Sequence, residues 1–389
     1  MSTVRTILPL AFVVALSIVG LGTVIPVLPF QAKALGASND IATLIYSIFS
    51  AVSFIAAPLW GRASDRIGRK PVMAASLCVA VVSYLWLSQV TSLWELYACR
   101  ALAGVSTGLM AAGFAWVADV TAPEHRAAGL GVLGAAFGVG FMVGPGIGAI
   151  VAGASSSGAP NYVLPALIAA ACNGAALAAA LLLVREPSRH RVATRTLKLT
   201  LLRTPALARL MLIYFCVSLL FTGVEGGFAL WGAARFGIGP REVGLILFVV
   251  GGVTVLTQGG VGALTRRYGE KHLLIGSIAL LLLAFLLMSL ASGPWSTLGP
   301  VALFAVGIGL HTPTLQSLLS HHTPITHQGT IMGTAQSASS LARVFGPAWA
   351  GFMLEQYAPN ALFLVGAAAL LPILALTVVT VRGLQDPAP

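Results

Sequence analysis

Glu225 stands in the middle of L-L-F-T-G-V-E-G-G-F and is the only acid well inside a long apolar run of this chain. A carboxyl held away from water favours its neutral form, so such a group can take up and release protons near working pH. Glu225 is therefore the candidate proton site. The plainer reading is a counter-ion for an intramembrane cation, and Arg343 supplies one in a later run. Arg100, in L-Y-A-C-R-A-L-A-G, is a second such cation. A charge at mid-span costs at least about 2.5 kcal/mol on insertion scales, so it should face the protein interior with a partner, or snorkel to the outer surface. His311 is of the type most easily titrated near neutrality, although a lone histidine is more often a satisfied polar side chain. Gln258, Gln316 and Gln336 are polar candidates for a substrate path, and Phe221 and Phe228 are candidates to line an apolar cavity. No Ser-His-Asp constellation, metal-spaced His/Cys set or phosphate-cradling loop is present, so the expectation is no enzyme, no metal and no cofactor.

These residues sit in spans that must be positioned by a membrane. The 389 residues are 57% hydrophobic and 8% charged, against about 25% charged in soluble domains. Mean hydropathy is +0.92. A spanning helix needs about 20 apolar residues. Twelve such runs are expected, near 7–30, 41–60, 71–90, 93–118, 127–153, 162–184, 208–233, 241–264, 271–291, 296–319, 328–353 and 360–381. The first has no small-residue cleavage site and reads as a retained helix. An even count puts both termini on one side, and Arg5, Arg382 and the basic connections vote for the cytoplasm. The same asymmetry accounts for the net charge of +11 without nucleic acid. Cys78, Cys99, Cys172 and Cys216 read as small buried hydrophobes rather than disulfides.

Between the second and third runs lies G-R-A-S-D-R-I-G-R-K, residues 61–70. So short a connection forces an antiparallel helical hairpin, and its cations mark the side that resists translocation. A degenerate copy, G-A-L-T-R-R-Y-G-E-K, begins at Gly262, and Gly346-Pro347 repeats Gly144-Pro145. Pro324 likewise repeats Pro123. The offset is 201 or 202 residues throughout, so the chain reads as a duplicated six-helix unit. A polar basic stretch separates the copies, giving bundles at 1–184 and 208–389 joined by a linker at 185–207, with an amphipathic turn near 197–202.

The 61–70 loop resembles the connection between helices 2 and 3 of the major facilitator superfamily at every defined position. G-L-G-T-V-I-P-V-L-P, residues 20–29, resembles the first helix of tetracycline efflux proteins and other twelve-helix drug:proton antiporters; Ser17 stands where those proteins carry an Asp. G-x-x-x-G-P-x-x-G at Gly140, Gly144, Pro145 and Gly148 is similar to the superfamily's antiporter signature, where small residues also let helices approach closely.

The resemblance implies an all-α membrane protein of two pseudo-symmetric six-helix bundles, working by alternating access as a monomer. It implies a cytoplasmic charge latch built from Gly61, Asp65, Arg66, Gly68, Arg69, Lys70, Asp119 and Arg126, although Asp119 alone would also serve as a helix cap. It links Arg100 to proton coupling, beside Glu225, Arg343 and His311. The expected activity is proton-coupled export of an amphipathic small molecule across a bacterial inner membrane. The alternatives are an organic-anion or sugar transporter, because two Arg and one acid lie within the spans, and a membrane sensor or lipid scramblase.

Overall fold

The computed structural model describes residues 3–121, 126–153, 160–187, 204–323 and 328–384. The central part of the linker, with the expected amphipathic turn, lies outside the described residues, as do Pro123 and Pro324. Fourteen helices account for nearly all of the described chain: α1 Thr3–Val24, α2 Leu28–Ala34, α3 Asn39–Ile67, α4 Arg69–Leu87, α5 Leu93–Val105, α6 Gly108–Val120, α7 Arg126–Ala152, α8 Val163–Leu183, α9 Pro205–Phe236, α10 Pro240–Tyr268, α11 Glu270–Ser289, α12 Leu298–His321, α13 Gln328–Gln356 and α14 Ala361–Arg382.

Two of the expected spans are broken. The first parts between α1 and α2 at residues 25–27, where Pro26 and Pro29 remove backbone donors. The fourth parts between α5 and α6 at Ser106-Thr107, which the sequence pattern did not suggest. Side chains meet the backbone groups around that break. Ser76 donates to the Ser106 carbonyl and accepts from the Leu109 N–H at 2.9 Å, and Trp60 Nε1 donates to the Val105 carbonyl at 2.6 Å. Irregular backbone at membrane depth persists only where such partners or a wet cavity are at hand.

Eleven spans among the described residues are long and apolar enough to cross a membrane. The remaining expected run, 328–353 in α13, has the length but not the hydropathy, because Gln336, Ser337, Ser339, Ser340 and Arg343 crowd one stretch of it. The cysteines are free; only Cys99 is buried, and Cys78 is exposed on a helix surface rather than in the core.

The chain divides into two compact units, 1–193 with 237–251, and 194–236 with 252–389. α10 is shared between them. In the first unit α1 packs on α7 and α8, α4 on α8, α5 and α6, and α3 on α5. In the second, α9 packs on α13 and α14, and α11 on α12 and α14. The pairings of α1, α4, α6, α7 and α8 recur among α9, α11, α12, α13 and α14, as a duplicated unit requires, whereas the α3–α5 packing has no comparable counterpart between α10 and α12 among the described residues. The core of the second unit is an aromatic cluster: Trp231, fully buried, lies 4.7 Å from Phe363 and 5.6 Å from Phe228, and Phe363 lies 5.7 Å from Phe285.

Candidate functional site

The first group of candidate residues closes one end of the first unit. Gly68 lies between α3 and α4 with φ 111° and ψ 162°, a conformation that only glycine adopts without strain. This tight turn carries Arg69 back under α3. Its Nη1 donates to Ser64 Oγ at 2.7 Å and to Asp65 Oδ1 at 2.5 Å, and its Nε donates to Asp119 Oδ2 at 2.9 Å. Arg69 is buried while Asp65 is exposed, so the Asp119 arm, shielded on both sides, carries more of the interaction than the exposed one. Lys70 Nζ donates to the Leu181 carbonyl at 2.6 Å. Arg66 is exposed, Gly61 faces open space, and the Arg126 side chain lies outside the described residues.

One member of this cluster escaped the sequence reading. Both carboxylate oxygens of Glu186 accept backbone N–H bonds, from Arg69 and Lys70, each at 2.7 Å. Glu186 thereby caps α4, where the helix dipole favours an anion. The available signal was that Glu186 is the only acid in the basic stretch after the sixth run.

Arg100 on α5 is 2% exposed, so it does not snorkel. Its guanidinium lies over the Phe49 ring at 4.6 Å, while Nε and Nη1 find no hydrogen-bond partner among the described residues. No carboxylate pairs with it among the described residues. The glycines of the 140–148 motif all press α7 against α1: a Cβ at Gly144 would meet Gly22 Cα and the Val19 carbonyl at 2.6 Å, one at Gly140 the Ala15 carbonyl at 2.8 Å, and one at Gly148 the Thr23 carbonyl. Pro145 lies within α7 against the same helix. Ser17 donates to Asn173 Oδ1 at 2.8 Å.

The second unit holds the intramembrane acid. Glu225 Oε2 lies 3.5 Å from Arg343 Nη1, with 19% of the Glu225 side chain and 46% of the Arg343 side chain exposed. The pair bridges α9 and α13. Those helices meet closely, with Thr222 Oγ1 donating to the Ala342 carbonyl at 3.0 Å and Gly226 against Pro347. Gln336 and Ser337 are exposed on α13, and Gln258 is exposed on α10. Uncovered amides and a guanidinium on membrane-depth helices require water beside them rather than acyl chains. His311 on α12 is buried, stacks on Tyr214 with 6.5 Å between centroids, and has no hydrogen-bond partner at either ring nitrogen. Gln316 Nε2 reaches the Tyr214 hydroxyl at 3.5 Å. Phe221 stacks on Phe304 at 5.8 Å, and Phe228 belongs to the buried aromatic core. The structure thus joins Glu225 to Arg343, and Tyr214 to both His311 and Gln316.

The family model described as Major Facilitator Superfamily matches residues 10–347 and 210–388. The chain belongs to the Major Facilitator Superfamily. Among its relatives is the class C tetracycline resistance protein of Escherichia coli, 32% identical over 348 residues, 86% of each chain. Major facilitator superfamily domain-containing protein 10 of Homo sapiens is 32% identical over 331 residues, 78% of this chain and 71% of that protein. The crystal structure of the human organic anion transporter MFSD10 (TETRAN) is 25% identical, covering 97% of this chain and all of that one, with a TM-score of 0.73. The crystal structure of the nucleoside transporter NupG superposes with a TM-score of 0.83 at 12% identity, over 96% and 99% of the two chains, a likeness of fold alone. As a facilitator-superfamily member the chain is a multi-pass membrane transporter and not an enzyme.

Proposed function

We propose that this transporter is a proton-coupled antiporter exporting amphipathic small molecules, with Glu225 as the coupling carboxyl. The observation that carries the reading is the Glu225–Arg343 contact at 3.5 Å, with the arginine half exposed. A loosely held counter-ion is one that a proton can replace: protonating Glu225 frees Arg343, and releasing the proton restores the pair. Substrate that holds Arg343 on Glu225 favours the charged carboxyl and expels the proton, whereas a bound proton frees Arg343 and disfavours substrate; this mutual exclusion links the two movements in opposite directions. The tetracycline resistance proteins among its relatives favour drug export. The setting is a bacterial inner membrane with both termini cytoplasmic, the protein working as a monomer by alternating access, with the Asp65–Arg69–Asp119 cluster as a cytoplasmic latch.

The test is transport by proteoliposomes under an imposed pH gradient, with tetracycline as the first probe. Gradient-dependent accumulation is expected, and its loss in Glu225→Gln. Full accumulation by Glu225→Gln would exclude the coupling role.

A second reading is export of organic anions. Arg100 is a buried cation with no carboxylate partner among the described residues, and one relative of known structure is an organic anion transporter. Running anionic and cationic probes in parallel separates the readings, because an anion carrier accumulates only the former.

A further inference from the structure

The two halves differ at their latches by an inversion of charge. In the first unit the cation is Arg69, at the start of α4, and its acids are Asp65 and Asp119. At an offset of 201 residues, Glu270 opens α11 where Arg69 opens α4, each directly after a positive-φ glycine, and Arg266 replaces Asp65. At the end of α12, Thr323 Oγ1 donates to the carbonyl four residues back, as Thr121 Oγ1 does at the end of α6. That match sets the local offset at 202, so His321 replaces Asp119. The contact survives the inversion: His321 Nδ1 lies 3.3 Å from Glu270 Oε2. Ser317 Oγ, one turn earlier on α12, donates to Glu270 Oε1 at 2.5 Å. The Glu270 side chain is 16% exposed and that of His321 is 51% exposed, so the carboxylate is sheltered and the imidazole reaches water.

The surroundings are cationic. Arg266 and Arg267 stand in the last turn of α10; Lys271 and His272 follow Glu270 on α11; His322 follows His321 just past the end of α12; Arg382 ends α14. Lys271 Nζ is held by the Leu384 carbonyl at 2.7 Å, as Lys70 is held by that of Leu181. His272 and His322 bond to the carbonyls of Tyr268 and Leu318. Glu270 is the one acid at this end of the unit among the described residues. An arginine latch is charged at every working pH, whereas histidine changes charge between about pH 5 and 8.

We propose that Glu270, His321 and Ser317 form a proton-binding latch in the second unit. Its ligand is a proton from the aqueous phase on that side, taken up by His321 and returned to the same phase. Uptake turns the Glu270–His321 contact into an ion pair and draws α12 onto α11. Release loosens that corner while the Arg69 latch in the first unit stays charged. The site is separate from Glu225, and it makes one half of the molecule responsive to pH and the other not.

The test reads folding rather than flux, so it does not depend on what is carried. Thermal midpoints of the detergent-purified protein are compared with those of His321→Gln at about pH 6 and about pH 8. For a half-exposed pair the wild type is expected to exceed the variant by roughly 1–4 °C at the lower pH, with the gap closing at the higher one. In a Glu270→Gln background the pH-dependent gap should vanish. The exchange Glu270→Arg with His321→Asp rebuilds the polarity of the first half, and it should keep the low-pH midpoint at both values. A gap of equal size at both pH values, or one that persists without the Glu270 carboxylate, overturns the proposal.

Discussion

Gly68 and Gly269 occupy equivalent turns, and replacing each by alanine separates backbone strain from the Glu186 clasp. The dihedrals are nearly the same, φ 111° and ψ 162° at Gly68 against φ 77° and ψ 152° at Gly269. A Cβ in that region costs about 1–3 kcal/mol, a term common to both variants. The surroundings differ. At Gly68 the new Cβ would stand 2.8 Å from Glu186 Oε1, whereas at Gly269 nothing lies within 4 Å. Gly68→Ala must therefore also displace the carboxylate that caps Arg69 and Lys70. Helix caps are worth about 0.5–2 kcal/mol, and this one is exposed, so the excess is about 1 kcal/mol. For units of this size that corresponds to roughly 2–4 °C. Thermal unfolding of the purified variants, followed by tryptophan emission, should place the Gly68→Ala midpoint below that of Gly269→Ala by that amount. In a Glu186→Ala background the excess should disappear, because the clasp is already gone. Equal losses at the two glycines, or an excess that survives Glu186→Ala, would refute the reasoning.

Asp119→Asn removes the charge opposite Arg69 Nε and leaves a buried guanidinium short of a partner, at a cost of about 1–3 kcal/mol; a lowered unfolding midpoint that Asp65→Asn does not match is the expected result. Trp231→Ala empties a fully buried site against Phe228, Phe236 and Phe363, costing about 3–5 kcal/mol and showing as low yield of folded protein on size exclusion.

Composition and periodicity were sufficient for the membrane class, the spans and the duplication, because spanning length, charge asymmetry and repeat offset are properties of the chain itself. The 61–70 and 140–148 motifs were legible for the same reason: their spacings express a tight turn and a close helix crossing. The repeat also put the run of Glu225 beside that of Arg343, and the two side chains meet. Sequence did not separate polar residues that find each other from those that do not, since that depends on which faces pack. Phe228, a candidate cavity residue, is packed into a closed aromatic core, and Glu186, distant in sequence from the loop, completes the α4 cap. The break at Ser106 depends on Ser76 and Trp60 arriving from other helices. The pairing of Glu270 with His321 likewise appears only once α11 and α12 are laid together, because an inverted pair conserves the contact while erasing the motif that would announce it.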